Sequence, residues 1–207
     1  MDVRELKIAG AFHFVPQNFA DARGHLASPY QEAAFKEATG HTLFPIRQTN
    51  HSQSRRGVAR GVHFTTTPPG MAKYVHCSQG STLDMVVDVR VGSPTFGQWE
   101  SIVLNAEHPS GIYLPVGVGH AFVALEDTVI TYLLSEGYKA ENEKAVSVLD
   151  PPLGLPVSDD ENLILSERDR VAPTLAEAAE LGLLPDYETS LRVERSLYEK
   201  YEKGADA

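Results

Sequence analysis

From Ile46 to Leu134 the chain is a succession of short strand-like segments cut apart by glycine, proline, serine and asparagine. Residues 46–50, 57–64, 72–77 and 82–91 carry the apolar and β-branched side chains of strands, and 99–104, 111–114, 120–125 and 129–134 continue the rhythm. The run 82–91 is the clearest: Leu83, Met85, Val87 and Val89 alternate with Asp84, Val86, Asp88 and Arg90, so the two sets project from opposite faces. Many short strands must either pack as two sheets or close on themselves. The pattern predicts a mainly β fold, a sandwich or barrel of jelly-roll form.

The flanks read differently. Residues 9–14 read as another short strand, 19–24 as a turn, and 30–38 as one or two helical turns stopped by Gly40. The stretch 150–156 is too rich in proline and glycine for regular structure. Beyond it, Thr174 and Glu177 have capping-box spacing ahead of an alanine- and leucine-rich run that ends at Gly182 and Pro185. Residues 189–203 read as a second helix with Val193, Leu197 and Tyr201 as its apolar stripe, and 204–207 as frayed. No repeat or long linker divides the chain, so 1–207 is read as one jelly-roll domain with a C-terminal helical extension from about residue 174.

Composition narrows the partners. A chain of 207 residues, 42% hydrophobic and 22% charged, can bury a sizeable core and is not of disordered type. Its formal net charge of -10 argues against nucleic acid or an anionic membrane as the main partner. An anionic small molecule remains compatible with it, provided a few cations are gathered in one place. No segment approaches the roughly 20 apolar residues of a membrane helix, and the start 1–5 is charged and lacks an apolar core segment, so a cytoplasmic location is expected. The single cysteine, Cys77, excludes an internal disulfide and reads as a small buried hydrophobe.

Two stretches hold the chemistry. Gly57-Val58-Ala59-Arg60-Gly61-Val62-His63-Phe64 sets a cation and a titratable imidazole three residues apart. In a regular strand Arg60 and His63 would face opposite ways, but a glycine between them allows a bulge that turns both into one cavity. The second stretch is Pro115-Val116-Gly117-Val118-Gly119-His120. Its Pro-x-Gly-x-x-His spacing resembles the second signature of the cupin superfamily, whose fold is a small jelly roll. Metal-binding cupins add a His-x-His pair and a glutamate on an earlier strand. Here that strand reads His63-Phe64-Thr65-Thr66-Thr67, with one histidine and no acid, so His63, His120 and His76 are too few and too scattered for an expected metal site.

A longer ordered set of motifs resembles one branch of that superfamily. It comprises Phe19-x-Asp21-x-Arg23-Gly24, Gln48-Thr49-Asn50-His51-Ser52-x-Ser54, Val58-Ala59-Arg60-Gly61-Val62-His63, Ala72-Lys73 and Gly92-Ser93-Pro94-Thr95-Phe96-Gly97. Leu114-Pro115-x-Gly117-x-x-His120-Ala121-Phe122, Asp150-Pro151-x-Leu153-Gly154 and Leu165-Ser166-x-x-Asp169 complete it. Together they resemble the dTDP-4-dehydrorhamnose 3,5-epimerase family, metal-independent cupin-type enzymes acting on nucleotide-linked 4-keto-6-deoxysugars. The resemblance spans roughly Phe19 to Leu184, and the segments near Ser28 and Leu181 look more like the antibiotic-deoxysugar branch.

The resemblance implies an isomerase that inverts C5, or C3 and C5, of a dTDP-4-keto-6-deoxyhexose without a cofactor. Its chemistry fits the residue types. A carbon acid beside a ketone needs a base, and the resemblance gives that role to His63, with Asp169 as its carboxylate partner. Lys73 would stabilise the enolate oxygen, and Tyr132 would return a proton from the other face. Arg23, Arg60 and Arg168 would meet the diphosphate, Gln48, Asn50 and His120 sugar or phosphate oxygens, Glu143 the hydroxyls, and Tyr138 would stack on thymine. The segment holding Phe19 and Arg23 crosses to a neighbouring subunit in this family, which implies a homodimer.

Three positions depart from the rhamnose-type pattern: Ser28 stands for a glutamate, Thr49 for an aspartate and Ala121 for a glycine. They bear on the substrate and on which carbon is inverted. Two other readings compete: a metal-dependent cupin dioxygenase or isomerase, and a non-catalytic module that binds a sugar nucleotide.

Overall fold

The computed structural model describes residues 1–158 and 162–205 of the chain. Thirteen strands and four α-helices occur among them, with one 3-10 turn at Ala140–Asn142: β1 (Asp2–Glu5), β2 (Phe12–Val15), β3 (Asn18–Asp21), β4 (Gly24–Ala27), α1 (Glu32–Thr39), β5 (Gln48–Ser54), β6 (Ala59–Thr65), β7 (Lys73–Gln79), β8 (Ser81–Val87), β9 (Trp99–Asn105), β10 (Gly111–Leu114), β11 (Gly119–Ala124), β12 (Thr128–Leu134), β13 (Glu143–Ala145), α2 (Glu167–Arg170), α3 (Leu175–Glu180) and α4 (Tyr187–Ala205). The strands form a six-stranded sheet in the order β1-β2-β10-β7-β12-β5 and a five-stranded sheet in the order β13-β6-β11-β8-β9. Every pairing in both is antiparallel. The two sheets face each other as a jelly roll.

The period-two pattern explains the core. Val75, Cys77, Ile112 and Ile130 from one sheet meet Val86, Ile102, Leu104 and Phe122 from the other inside the barrel. Cys77 is there as a small hydrophobe, and burial pushes its thiol up. The alternate residues are not wasted on solvent. Val62, Phe64, Met85 and Val87 lie on the opposite face of the five-stranded sheet, beneath Val146, Val148, Leu153 and Leu155 of the C-terminal segment. The far side of the six-stranded sheet packs Phe14, Tyr74 and Tyr113 against Phe35 of α1 and Tyr198 of α4. Burying Phe35 alone contributes about 1.5–3 kcal/mol.

The differences from the sequence reading are local. The supposed turn at 19–24 is a hairpin, β3 paired with β4, standing apart from both sheets. The strand at 82–91 stops at Val87, because the Asp88 carboxylate accepts bonds from Arg90, Ser93 and Thr95 and closes a turn there. Strands β1 and β13, four and three residues long, carry too little pattern to read. Gly40 caps α1 in the left-handed conformation, and Thr174 and Glu177 form the capping box of α3. Helix α4 extends through Gly204 and Ala205, which the sequence reading took as frayed; the side chain of Tyr201 and residues 206–207 lie outside the described part. Among the described residues no helix is long and apolar enough to cross a membrane.

Candidate active site

Strand β6 is bulged against β11: His63 opposes His120 and Arg60 opposes Phe122, so two residues on β6 face one on β11. Gly61 supplies the bend with φ of +117°, and a Cβ there would sit 2.5 Å from the His120 carbonyl oxygen. The bulge brings Arg60 and His63 to the same cavity at the mouth of the barrel. Both sheets wall it. His63 and His120 come from the five-stranded sheet, and Lys73, Asn50 and Tyr132 from the six-stranded one. Tyr138 and Glu143 close the rim, while Met71, Phe122 and Leu134 give it an apolar floor.

The helical turn α2 sets a carboxylate behind His63. Ser166 caps it by accepting the Asp169 N–H at 3.1 Å and donates its hydroxyl to Asp169 Oδ2 at 2.9 Å. Asp169 Oδ1 lies 2.5 Å from His63 Nε2. A carboxylate only accepts, so Nε2 carries the proton and Nδ1 is the nitrogen left to act as a base. Burial pushes the Asp169 carboxyl up, but the bond and charge of His63, with Ser166 and Arg168, outweigh it and hold the group below the ordinary range.

A second imidazole–carboxylate pair lies deeper. His120 Nε2 is 2.9 Å from both oxygens of Asp84, which is fully buried. Tyr132 packs edge-on against the His120 ring with centroids 5.7 Å apart. Burial and then the Asp84 charge push the Tyr132 hydroxyl up, only partly opposed by Arg60. Lys73 is buried, and burial lowers its amine; Glu143 opposes this and Arg168 adds to it. A protein of net charge -10 thus gathers Arg60 and Lys73 in one cavity.

The remaining expected residues divide. Gln48 supports the cavity from behind, donating to Asn50 Oδ1 at 2.7 Å and accepting the Tyr138 N–H at 2.9 Å. Glu143 accepts the Thr65 hydroxyl at 2.6 Å. Arg168, on α2, acts on Lys73 through its charge without lining the cavity. Phe19 and Arg23 do not reach the site: they stand on the exposed β3–β4 hairpin, where Arg23 pairs with Asp21 at 2.5 Å. Ser28 and Thr49 are exposed and do not line the cavity, whereas Ala121 is buried under Gly61. Among the described residues, no group of three or more His, Cys, Asp or Glu is placed to hold a metal ion.

The sequence model of the dTDP-4-dehydrorhamnose 3,5-epimerase family matches residues 5–177. The chain belongs to this family of sugar-nucleotide isomerases. It is 47% identical, over 88% of its length and 93% of the relative's, to a dTDP-4-dehydro-6-deoxyglucose 3-epimerase of Streptomyces bikiniensis. It is 46% identical to a dTDP-4-dehydrorhamnose 3,5-epimerase of Streptomyces griseus, over 96% of this chain and 98% of that one. The crystal structure of ChmJ, a 3'-monoepimerase from S. bikiniensis in complex with dTDP-quinovose, superposes with a TM-score of 0.86 at 44% identity, covering 93% of this chain and 97% of that one. The residue of this cluster that sequence reading missed is Asp84, the partner of His120. Its signal was a carboxylate inside the most regular apolar strand, opposite Phe122 in register, but alternation alone does not say which face is the interior.

Proposed function

We propose that this cavity inverts a carbon next to the ketone of a dTDP-4-keto-6-deoxyhexose, in cytoplasmic deoxysugar biosynthesis. The observation that carries the reading is the His63–Asp169 pair on one wall with Tyr132 on the other. His63 Nδ1 takes the α-proton, and Asp169 balances the imidazolium that results. The electron pair moves into an enolate whose oxygen is met by Lys73 and His120. Tyr132, held protonated by its surroundings, gives a proton to the opposite face, and the ketone re-forms with the centre inverted.

The nucleotide end follows from the rim. Tyr138 stacks on thymine, Arg60 meets the diphosphate with the charge of Arg168 adding from α2, and Glu143 and Asn50, the latter held by Gln48, fix hydroxyl or phosphate oxygens. Phe19 and Arg23 complete the site of a second subunit in a homodimer; the 58% exposure of Phe19 and the 71% exposure of Leu26 on the free hairpin support this. Barrel and helical tail act as one domain. The 3-epimerase and 3,5-epimerase relatives share C3, which leaves C5 as the second position in question.

Incubation with dTDP-4-keto-6-deoxyglucose in deuterated water, followed at C3 and C5 by NMR, tests the reading. Deuterium at C3, at C5 or at both is expected and reads the regiochemistry directly. Tight binding of the nucleotide sugar with no exchange at either carbon would identify a binding module instead.

A further inference from the structure

Helix α4 lies outside the residues matched by the family model, yet it is built onto the turn that delivers His120. That turn, 115–118, joins β10 to β11 and is closed by the Val118 N–H donating to the Pro115 carbonyl at 3.2 Å. From α4, Glu194 Oε2 accepts the Val116 N–H at 2.6 Å. Its other oxygen, Oε1, accepts hydroxyls from Tyr198 at 2.8 Å and from Tyr113, the residue two before Pro115. Gly117, with φ of +84°, lies flat on the helix: a Cβ there would be 2.5 Å from Ser190 Oγ and 3.0 Å from Arg90 Cγ. The start of α4 is sewn down as well, by the Tyr187 N–H to the Val91 carbonyl at 2.9 Å and by the Arg90 guanidinium 5.0 Å from the Tyr187 ring centre.

Neutral packing would suffice to cover a sheet. Instead a carboxylate makes three bonds here, one to a main-chain N–H four residues before His120. Hydrogen bonds donated to a carboxylate are stronger and more directional than neutral ones. His120 in turn must sit with Nε2 shared between both Asp84 oxygens and its ring edge-on to Tyr132. We infer that Glu194 is a positioning residue for the epimerase reaction: through Val116 and the 115–118 turn it sets the placement of the His120 ring in the cavity. The inference rests on the reading that His120 contacts the reacting sugar.

The test has two readouts. The first is the imidazole Nε2–H proton resonance of His120, assigned by its loss in His120→Gln, which requires no turnover. It shifts or broadens in Glu194→Ala and moves in the same direction by less in Glu194→Gln, which keeps one of the two acceptor oxygens. The second is turnover: Glu194→Ala lowers kcat about 10–100-fold. Adding His120→Ala to Glu194→Ala costs much less than His120→Ala costs alone, as expected of two residues acting through one group. Arg195→Ala, on the exposed face of the same helix, changes neither readout. Should Glu194→Ala not fold, Glu194→Gln decides by its resonance alone. An unshifted His120 signal in a folded Glu194 variant, or a fall in melting temperature with kcat unchanged, overturns the inference. Failure of the wild type to exchange deuterium strikes the proposed function, and the resonance is read independently of it.

Discussion

His63 and Tyr132 face the cavity from opposing sheets, and under the proposed function that arrangement separates proton removal from proton return. His63→Asn therefore loses both wash-in of solvent deuterium and net inversion, by about 100–10,000-fold. Tyr132→Phe loses inversion by a similar factor but keeps exchange, because His63 can still remove the proton and give it back to the same face. Parallel NMR and product analysis distinguish the two; equal loss of exchange in both variants would make Tyr132 part of the base. Lys73 gives a prediction of the opposite sign for stability. Its burial lowers the folded-state pKa, so the unfolded chain binds the proton more readily and stability rises with pH through that window. Lys73→Met thus melts higher than wild type at neutral pH while turning over poorly. The melting difference, measured by calorimetry, shrinks as pH climbs toward the unfolded lysine value of about 10.4.

Strand β6 shows what an element adds to its residues. Residue types alone place Arg60 and His63 on opposite faces; the bulge at Gly61 brings them to one cavity. Ala at 61 meets two obstacles, a φ of +117° and the main chain of His120 and Ala121 within 2.6 Å of the new carbon. Backbone strain of this kind costs about 1–3 kcal/mol before any clash. Gly61→Ala should lower the melting temperature by about 2–4 °C for each kcal/mol and lower kcat more than it weakens dTDP binding. A variant with wild-type kcat would show that the bulge does not aim His63. This bulge was legible in sequence because glycine interrupts a strand between two polar residues that share no face. Asp84 was not legible as a site residue, since a strand buried on both sides shows the same alternation whichever set points inward. The capping box of α3 was legible because its partners are three residues apart. The contact of Glu194 with Val116 was not, since 78 residues separate them and no local pattern registers it.

At the scale of the molecule, the unsettled feature is the β3–β4 hairpin. It belongs to neither sheet of the barrel, it exposes Phe19 and Leu26, and it holds Arg23 away from the cavity where a cation would be useful. In the proposed homodimer each hairpin serves the other subunit's site, and its exposed Phe19 and Leu26 are the surface that would meet the partner. The arrangement makes a prediction that neither subunit can mimic alone. Arg23→Ala lacks the donated cation, and His63→Asn lacks the base, so each pure dimer turns over poorly. In a mixed dimer the Arg23→Ala subunit keeps its own His63 and receives an intact Arg23 from its partner, while the other site loses both. Random assortment leaves half of the dimers mixed, with one competent site in two, so unfolding and refolding the variants together restores about one quarter of wild-type activity. No recovery, with refolding of each variant verified separately and mixed dimers detected by mass, would place Arg23 in service of its own chain or of no site at all.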